Sequence, residues 1–242
     1  MNQIFNFTAI GTVHACYKEK FGVPRQPGLV NVLSSIELHA PYNRIETCRG
    51  LSDFSHIWVT FVFHQTMQQG WHPTVRPPRL GGNERVGVFA SRSMFRPNPI
   101  GLSVVELKAV RQQDGKLLLD IAGGDLIDGT PVLDIKPYLP YADAIPAARS
   151  GYAADLPSAR LKISFTAHAQ MLVEKYQLQW PDIRQTIIEI LQLDPRPAYH
   201  AVTTSQKTEY AIRLYDLDVK WRVSGDAVEV DDLLVVDPLS HE

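Results

Sequence analysis

LSVVELKAVRQQDGKLLLDI, residues 102–121, is the stretch that decides the fold of the N-terminal half. It holds two apolar runs, at 102–110 and 117–121, on either side of Asp114-Gly115. Glycine takes the positive φ that a tight hairpin turn requires, so Asp-Gly between two such runs predicts a β-hairpin. The fold prediction therefore starts from two antiparallel strands.

Other β patterns flank this hairpin. Segments rich in apolar, aromatic and β-branched residues predict further strands at 4–10, 57–63 and 86–90. Asp128-Gly129 lies between residues 124–127 and 132–135 and predicts a second hairpin. Because no amphipathic helix of ordinary length interrupts residues 80–140, we expect an antiparallel β-barrel or sandwich.

The composition changes near residue 145. Residues 146–158 are rich in Ala, Ser, Gly and Pro. A segment of this composition packs poorly, which predicts a linker. Beyond it, the patterns predict a strand at 161–165, helices at 168–180 and 183–191, and a hairpin of 210–223 with 227–236. The predicted organisation is a mainly β N-terminal domain (1–145), a linker (146–158) and a smaller α+β domain (159–242).

The composition of the 242 residues excludes several classes of protein. With 45% hydrophobic and 21% charged residues, the chain is typical of a globular protein and not of a disordered one. Its longest apolar run, 57–63, is far short of the ~20 residues that span a bilayer, and no leader sequence is indicated, so we expect a cytoplasmic protein without a membrane partner. Cys16 and Cys48 alone indicate neither a disulfide framework nor a zinc site, and no metal is predicted.

The net charge of −2 conceals an asymmetry between the two halves. Residues 1–140 contain 14 Lys and Arg against 11 Asp and Glu, whereas residues 141–242 contain 10 against 15. The chain is therefore not a uniformly basic nucleic-acid binder, and any cationic surface belongs to the first half.

An arginine-rich loop is the first candidate binding segment. Between residues 76 and 96 a single acid, Glu84, accompanies five arginines: Arg76, Arg79, Arg85, Arg92 and Arg96. Two prolines then fix the backbone on either side of Asn98. Guanidinium groups pair well with phosphate or carboxylate, so this stiff loop suits an anion. The alternative is a solvated connection whose arginines pair with Asp53 or Asp125.

The second candidate segment is DLIDGTPVLDIKPY, residues 125–138. Its three Asp, one Lys and one Tyr are suited to binding ribose hydroxyls, binding an ammonium group or transferring a proton. The alternative for Asp128 is that it caps the backbone of its own turn. A third segment, 17–28, is either a ligand-facing lid or an ordered crossing loop. The sequence contains neither a Walker loop nor Gly-x-Gly-x-x-Gly after a strand, which disfavours Rossmann-type enzymes.

Taken together, several motifs resemble the TsaA-like β-barrel family, in the order that the family has them. They are PRQPG (24–28), FSHIW (54–58), FHQT (63–66), VFASRS (88–93), RPNPIGLS (96–103) and DGTPVLDIKPY (128–138). The resemblance covers residues 5–145, and DPRPAY (194–199) extends it into the small domain. The members that the chain most resembles are bacterial tRNA methyltransferases.

This resemblance implies an activity. It implies a β-barrel, a homodimer and S-adenosylmethionine as methyl donor, with methylation of N6 of threonylcarbamoyladenosine at position 37 in the anticodon loop of threonine tRNA. Carried over residue by residue, it implies a donor site made of Arg25, Gln26, Pro27, His64, Gln65, Arg92, Leu102, Asp125, Leu126, Ile127 and Asp128.

The chemistry of that reaction suggests further residues. The acceptor nitrogen is part of a urea and must lose a proton, so a base would help, and the candidates are Asp134, Tyr138 and the Asp128 carboxylate. Phosphate contacts require local positive charge, and the candidates for RNA binding are Arg76, Arg79, Arg96 and Asn98. Unpaired bases commonly stack on aromatic rings, for which Tyr42, Trp71 and Tyr138 are available.

Two alternatives stay open from the sequence. One is a hydrolase or phosphoryl-transfer enzyme that uses the Arg and Asp loops, and the other is a non-catalytic RNA-binding or nucleotide-binding module. The small domain likewise has two possible roles. If it helps to position the anticodon stem, its deletion should spare donor binding but abolish methyl transfer to whole tRNA. If it only buries barrel surface, its deletion should unfold the protein and abolish both.

Overall fold

The computed structural model describes residues 3–155, 161–196 and 209–236, and over these residues the protein is mainly β. The end of the DPRPAY motif, residues 197–199, lies outside the described residues. The strands are β1 (Gly11–His14), β2 (Leu33–Leu38), β3 (His56–Val62), β4 (Thr74–Val75), β5 (Val86–Gly87), β6 (Ile100–Gln113), β7 (Lys116–Ala122), β8 (Pro131–Pro137), β9 (Lys162–Phe165), β10 (Glu209–Leu214), β11 (Leu217–Ser224) and β12 (Ala227–Val235). The α-helices are α1 (Pro140–Asp143), α2 (Ala167–Tyr176) and α3 (Ile183–Gln192).

Six strands form the N-terminal sheet in the order β1-β2-β7-β6-β3-β8, and every pairing is antiparallel. β8 also pairs with β1, through Gly11 opposite Val132. Alternate residues of β3, namely Ile57, Val59 and Phe61, are buried on the inner side. The prediction of a mainly β fold with an antiparallel N-terminal sheet is confirmed.

The hairpin that decided the fold is present. β6 and β7 pair on either side of Asp114-Gly115, whose φ angles of +52° and +78° are those of a tight turn that needs glycine. Both strands extend beyond the predicted ends. Near the turn, residues 111–113 pair with β7, and at the far ends Ile100 pairs with β3 and Ala122 with β2.

Three predicted strands of the N-terminal half are wrong in whole or in part. Residues 4–10 contain no strand, since pairing begins at Gly11. Residues 124–127 form a loop and not half of a hairpin, because main-chain donors at Asp128 and Gly129 bind Tyr17 and Val13 carbonyls. Residues 86–90 hold only the two-residue β5, followed by a 3-10 turn.

The C-terminal domain is a four-stranded sheet, β10-β11-β12-β9, with α2 and α3. The predicted helix 168–180 ends at Tyr176, and the predicted helix 183–191 is α3 to within one residue. The segment 210–223 is not continuous. Tyr215, with φ of +53°, makes a turn that divides it into β10 and β11. The small α+β domain is otherwise as predicted.

The connection between β1 and β2, residues 15–32, packs into the hydrophobic core of the C-terminal domain. Cys16, Tyr17 and Val30 are almost fully buried there, against residues of α3 and β10. The Tyr215 amide donates to the Cys16 carbonyl at 2.8 Å, and the Glu189 carboxylate accepts from the Asn31 amide at 2.7 Å. The segment is therefore an ordered crossing held by the second domain. No helix among the described residues is long and apolar enough to cross a membrane.

Candidate functional site

Three loops meet at one end of the N-terminal sheet. Arg92, from the arginine-rich loop, donates to the Gln26 side-chain oxygen at 2.6 Å. The Gly28 amide donates to the Gly123 carbonyl at 2.8 Å, which joins the residue 25–28 segment to the loop that follows β7. That loop carries Asp125. Gln26, Arg92 and Asp125 are thus brought together although they are far apart in the sequence.

Asp125 supplies the carboxyl group of this cluster. Its Oδ1 accepts from Ser103 Oγ at 2.6 Å. Burial raises the pKa of Asp125, while the Ser103 hydrogen bond, a backbone hydrogen bond and the positive charge of Arg92 act in the opposite direction. A partly desolvated carboxylate beside a guanidinium suits a polar ligand that carries charges of both signs. The charge of Arg92 therefore acts on Asp125, but among the described residues no arginine of that loop forms an ion pair with Asp53 or Asp125, so the pairing that the alternative interpretation expected is absent.

Asp128 has a different environment. One of its oxygens accepts from the Ala15 amide at 2.9 Å, and the other accepts from Lys18 Nζ at 2.7 Å. The interpretation that it only caps its own turn is wrong, because these partners lie at the end of β1. Its carboxylate ties two loops together. Next to it, Leu126 is almost fully buried in the core of the N-terminal sheet.

His64 and Gln65 begin the 3-10 helix His64–Gln69 that follows β3. The Phe63 amide donates to the Pro99 carbonyl at 2.8 Å, so this turn lies beside the start of β6. Leu102, two residues into β6 from Ile100, has a side chain that is 55% exposed. It points away from its buried neighbour Ser103, as successive residues of a strand do.

Asp134 and Leu102 belong to one row across the sheet. Thr60 of β3 lies opposite Leu102 of β6 on one side and opposite Asp134 of β8 on the other. Residues opposite each other point to the same face, with Cβ atoms ~4.5–5.5 Å apart for each pair. The Asp134 carboxylate is 53% exposed and lies 3.6 Å from Lys136 Nζ.

Tyr138 lies elsewhere. Its ring packs 5.9 Å from that of Trp58, and its amide donates to the His56 carbonyl. His56 is at the start of β3 and His64 follows its end, so Tyr138 lies beside the start of β3.

The four residues predicted to bind RNA differ in whether their side chains already form hydrogen bonds within the protein. Arg76 and Asn98 are exposed. Arg79 donates to the carbonyl of Asp155, in the predicted linker. Arg96 donates to the carbonyls of Val88 and Ser91, so its guanidinium braces its own loop.

Sequence reasoning missed Ser103 as a contributor to this site. The signal was a single hydroxyl among apolar residues of a strand, at a position that the structure shows to be buried. Among the described residues, no group of three or more His, Cys, Asp or Glu side chains is arranged to hold a metal ion. An open groove of about 590 Å³ lies in the C-terminal domain, and none of the predicted donor residues lines it.

Two family models match the chain. The tRNA-methyltransferase O N-terminal domain matches residues 12–144, and the TrmO C-terminal domain matches residues 158–236. Among similar proteins, the tRNA (adenine(37)-N6)-methyltransferase of Escherichia coli strain K12 is 52% identical over 228 residues, which are 93% of this chain and 96% of the relative. A Pseudomonas aeruginosa protein named "Putative S-adenosylmethionine-dependent methyltransferase RcsF" is 44% identical over 88% of this chain and 90% of its own.

A solved structure agrees with these matches. The crystal structure of TrmO from Pseudomonas aeruginosa has a TM-score of 0.78 and 35% sequence identity, covering 96% of this chain and 99% of that one. The similarity therefore extends over both domains.

Proposed function

The chain belongs to the tRNA-methyltransferase O family, and we propose that it transfers a methyl group from S-adenosylmethionine to N6 of adenine 37 in tRNA. The observation that carries this proposal is the full-length similarity to the E. coli relative, which is named for that reaction. Matches to both domain models support it. These names favour an enzyme over a non-catalytic RNA-binding or nucleotide-binding module.

The cluster around Arg92 fits the donor. When bound, S-adenosylmethionine supplies an electrophilic methyl group on a sulfonium. Arg92, whose described hydrogen-bond partner is an amide and not a carboxylate, would hold the amino-acid carboxylate, together with Gln26. Asp125 would hold the ammonium group or the ribose hydroxyls. We propose supporting contacts from the other predicted donor residues, which are Arg25, Pro27, His64, Gln65, Leu102, Leu126, Ile127 and Asp128.

We further propose that the acceptor is the threonylcarbamoylated adenosine of threonine tRNA and that the transfer is in-line. A urea nitrogen is a poor nucleophile because its lone pair is delocalised, so holding it in line and removing its proton both matter. Asp134 is the favoured base, since it is exposed and shares a row with Leu102. Tyr138 is the second candidate.

The remaining parts of the proposal concern assembly and RNA. Arg76, Arg79, Arg96 and Asn98 would contact the tRNA, with residues 1–145 as the catalytic β-barrel, 146–158 as a linker and 159–242 as a positioning domain. The pairing of β8 with both β3 and β1 supports the barrel. A homodimer is supported by the exposure of Ile4, Phe5 and Phe7, which a second copy would cover. A tRNA substrate implies a cytoplasmic location.

Methyl transfer with purified components tests this function. We expect the protein to bind S-adenosylmethionine calorimetrically and to methylate threonine tRNA that carries threonylcarbamoyladenosine, but not the same tRNA with unmodified adenosine 37. Equal methylation of both RNAs would contradict the threonylcarbamoyl substrate alone. Donor binding without transfer to either RNA, together with unchanged tRNA nucleosides in cells that lack the protein, would contradict the enzyme.

A further inference from the structure

Phe89 is an aromatic side chain held out in solvent. It is 77% exposed, whereas Val88 before it is only 2% exposed. Both belong to the 3-10 turn Val88–Ala90, which is buried at Val88 and open at its tip.

The backbone of this turn is braced from several directions. The Val88 amide donates to the Pro73 carbonyl at 3.1 Å, and the Val88 carbonyl accepts from Ser91 Oγ at 2.8 Å. The Ser91 carbonyl accepts from Arg96 at 2.8 Å, and the Ala90 carbonyl accepts from the Tyr152 hydroxyl at 3.1 Å. The backbone position from which the Phe89 side chain extends is therefore held by the fold.

The ring of Phe89 has one covered face. The Arg96 guanidinium carbon lies over it, 5.7 Å from the ring centroid, which is cation–π geometry. With the side chain mostly exposed, the other face is open. A flat aromatic surface with a cation behind it is well matched to a nucleobase.

The charge around the ring identifies the kind of partner. The loop 76–96 carries five arginines and one acid, which suits a polyanion. Arg92 of the proposed donor site is three residues from Phe89, at most ~11 Å between Cα atoms. An RNA loop that presents its target base to the donor site therefore passes close to this ring.

We propose that Phe89, backed by Arg96, is a stacking platform for an unpaired base of the tRNA anticodon loop. This inference rests on the proposed function and adds to it a residue that recognises single-stranded RNA without reading its sequence. It also gives Arg96 a role through the ring, beside its proposed contact with the tRNA.

The test compares Phe89→Ala with Phe89→Trp in the full chain. Phe89→Ala removes one base–aromatic stack and should raise the Kd for an anticodon stem-loop RNA about tenfold. Phe89→Trp keeps an aromatic ring and should retain the wild-type Kd. The slope of log Kd against log salt should stay unchanged in Phe89→Ala, because no phosphate contact is lost. S-adenosylmethionine affinity and thermal stability should match the wild type.

Two controls accompany this test. Tyr141→Ala removes another exposed aromatic ring, 88% exposed, and should leave the RNA affinity unchanged. A fully paired RNA duplex should bind wild type and Phe89→Ala equally, since it offers no unpaired base.

Three results would overturn the platform. Equal stem-loop affinity of Phe89→Ala and wild type would refute it while leaving the methyltransferase proposal intact. Failure of wild type to bind any stem-loop RNA would also refute the platform, whereas the methyltransferase proposal is decided separately by the transfer assay on whole tRNA. A lower oligomeric mass of Phe89→Ala in sedimentation would show that a second copy of the chain, and not RNA, covers the ring.

Discussion

Arg92 combines a full charge with few internal contacts. Its described hydrogen bond is to Gln26 on the surface, so little of the fold depends on it. We expect Arg92→Ala to weaken S-adenosylmethionine binding about tenfold or more, because a charge-assisted contact contributes roughly 1.5–3 kcal/mol. Calorimetry measures the affinity. Arg85→Ala, which removes an exposed arginine bonded to Thr74, is the matched control. Wild-type affinity in a folded Arg92→Ala protein would remove Arg92 from the donor site.

Asp125 links the stability of the fold to pH. Burial raises the pKa of its carboxyl above the ordinary value of 3.8, so ionisation is less favourable in the folded state than in the unfolded one. The resulting cost to stability is absent below pH 3.8 and fully present above the raised pKa. Wild type should therefore lose stability relative to Asp125→Asn as pH rises through that window.

Urea unfolding near pH 3.8 and at neutral pH measures this difference. Asp114→Asn, which changes an exposed turn carboxylate, is the control. If the stability advantage of Asp125→Asn over wild type falls as the pH rises, the stability cost does not come from Asp125.

The same Asp125→Asn variant should bind the donor about tenfold more weakly, because a charged contact to the donor's ammonium or hydroxyl groups is lost.

Asp134 is exposed and only loosely paired with Lys136, so it can be changed without damage to the fold. If the Asp134 carboxylate takes the proton from the acceptor nitrogen, Asp134→Asn should lower the single-turnover rate of methyl transfer by about 10²-fold or more. The affinity for the donor should stay unchanged. Tyr138→Phe, which retains the ring against Trp58, tests the second candidate in the same assay. A rate loss confined to Tyr138→Phe would transfer the role to that residue.

The start of β6 is positioned by a close contact with β3. A Cβ added at Gly101 would overlap the Phe61 ring, although the strands pair at these two residues. Only glycine lets Phe61 fill the interior while Ile100 and Leu102 stay in register. This contact fixes the register from which Leu102 extends to the exposed face and Ser103 to the buried side, where it binds Asp125.

We expect Gly101→Ala to destabilise the protein by about 1–3 kcal/mol through overpacking, measured by urea unfolding. Gly87→Ala is the matched control, because its Cβ would meet open space and its φ is −59°. Phe61→Leu should recover part of the loss when combined with Gly101→Ala, which a double-mutant cycle measures. Additive effects of the two substitutions would show that the ring is not the obstacle.

At the scale of the whole molecule, the two domains share a core. Tyr17, Val30 and Val32 leave the N-terminal sheet and are buried among residues of the C-terminal domain. Arg25 in the donor segment also donates to the Arg196 carbonyl at 3.2 Å. The two alternatives for the small domain are therefore not exclusive, since this domain also holds the crossing that carries Gln26.

Deletion of residues 159–242 should consequently impair donor binding as well as methyl transfer. It would expose the buried side chains of the crossing and release the 25–28 segment from the Arg92 cluster. Circular dichroism and donor calorimetry on the truncated chain measure both effects. Leu191→Ala, in the fully buried part of α3, should lower the unfolding midpoint of both domains together. A folded truncation with wild-type donor affinity would contradict this coupling.

The sequence by itself determined those features that depend on local periodicity and turn chemistry. The β6–β7 hairpin follows from Asp114-Gly115, α3 follows from the spacing of its isoleucines, and the order of the TsaA-like motifs predicts the family. The same local reasoning was wrong for residues 4–10, where β-favouring residues find no strand to pair with. It was also wrong for residues 124–127, which form a loop because the Asp128 and Gly129 amides bind the carbonyls of Tyr17 and Val13.

Only the tertiary structure decided how the site is assembled. Gln26, Arg92 and Asp125 come from three loops, and their proximity depends on strand order and register, which no local pattern contains. The alternative that Asp128 caps its own turn was wrong because its partners, Ala15 and Lys18, are distant in sequence. The crossing that packs in the second domain is likewise fixed by long-range burial, since apolar side chains are stabilised by whichever core removes them from water.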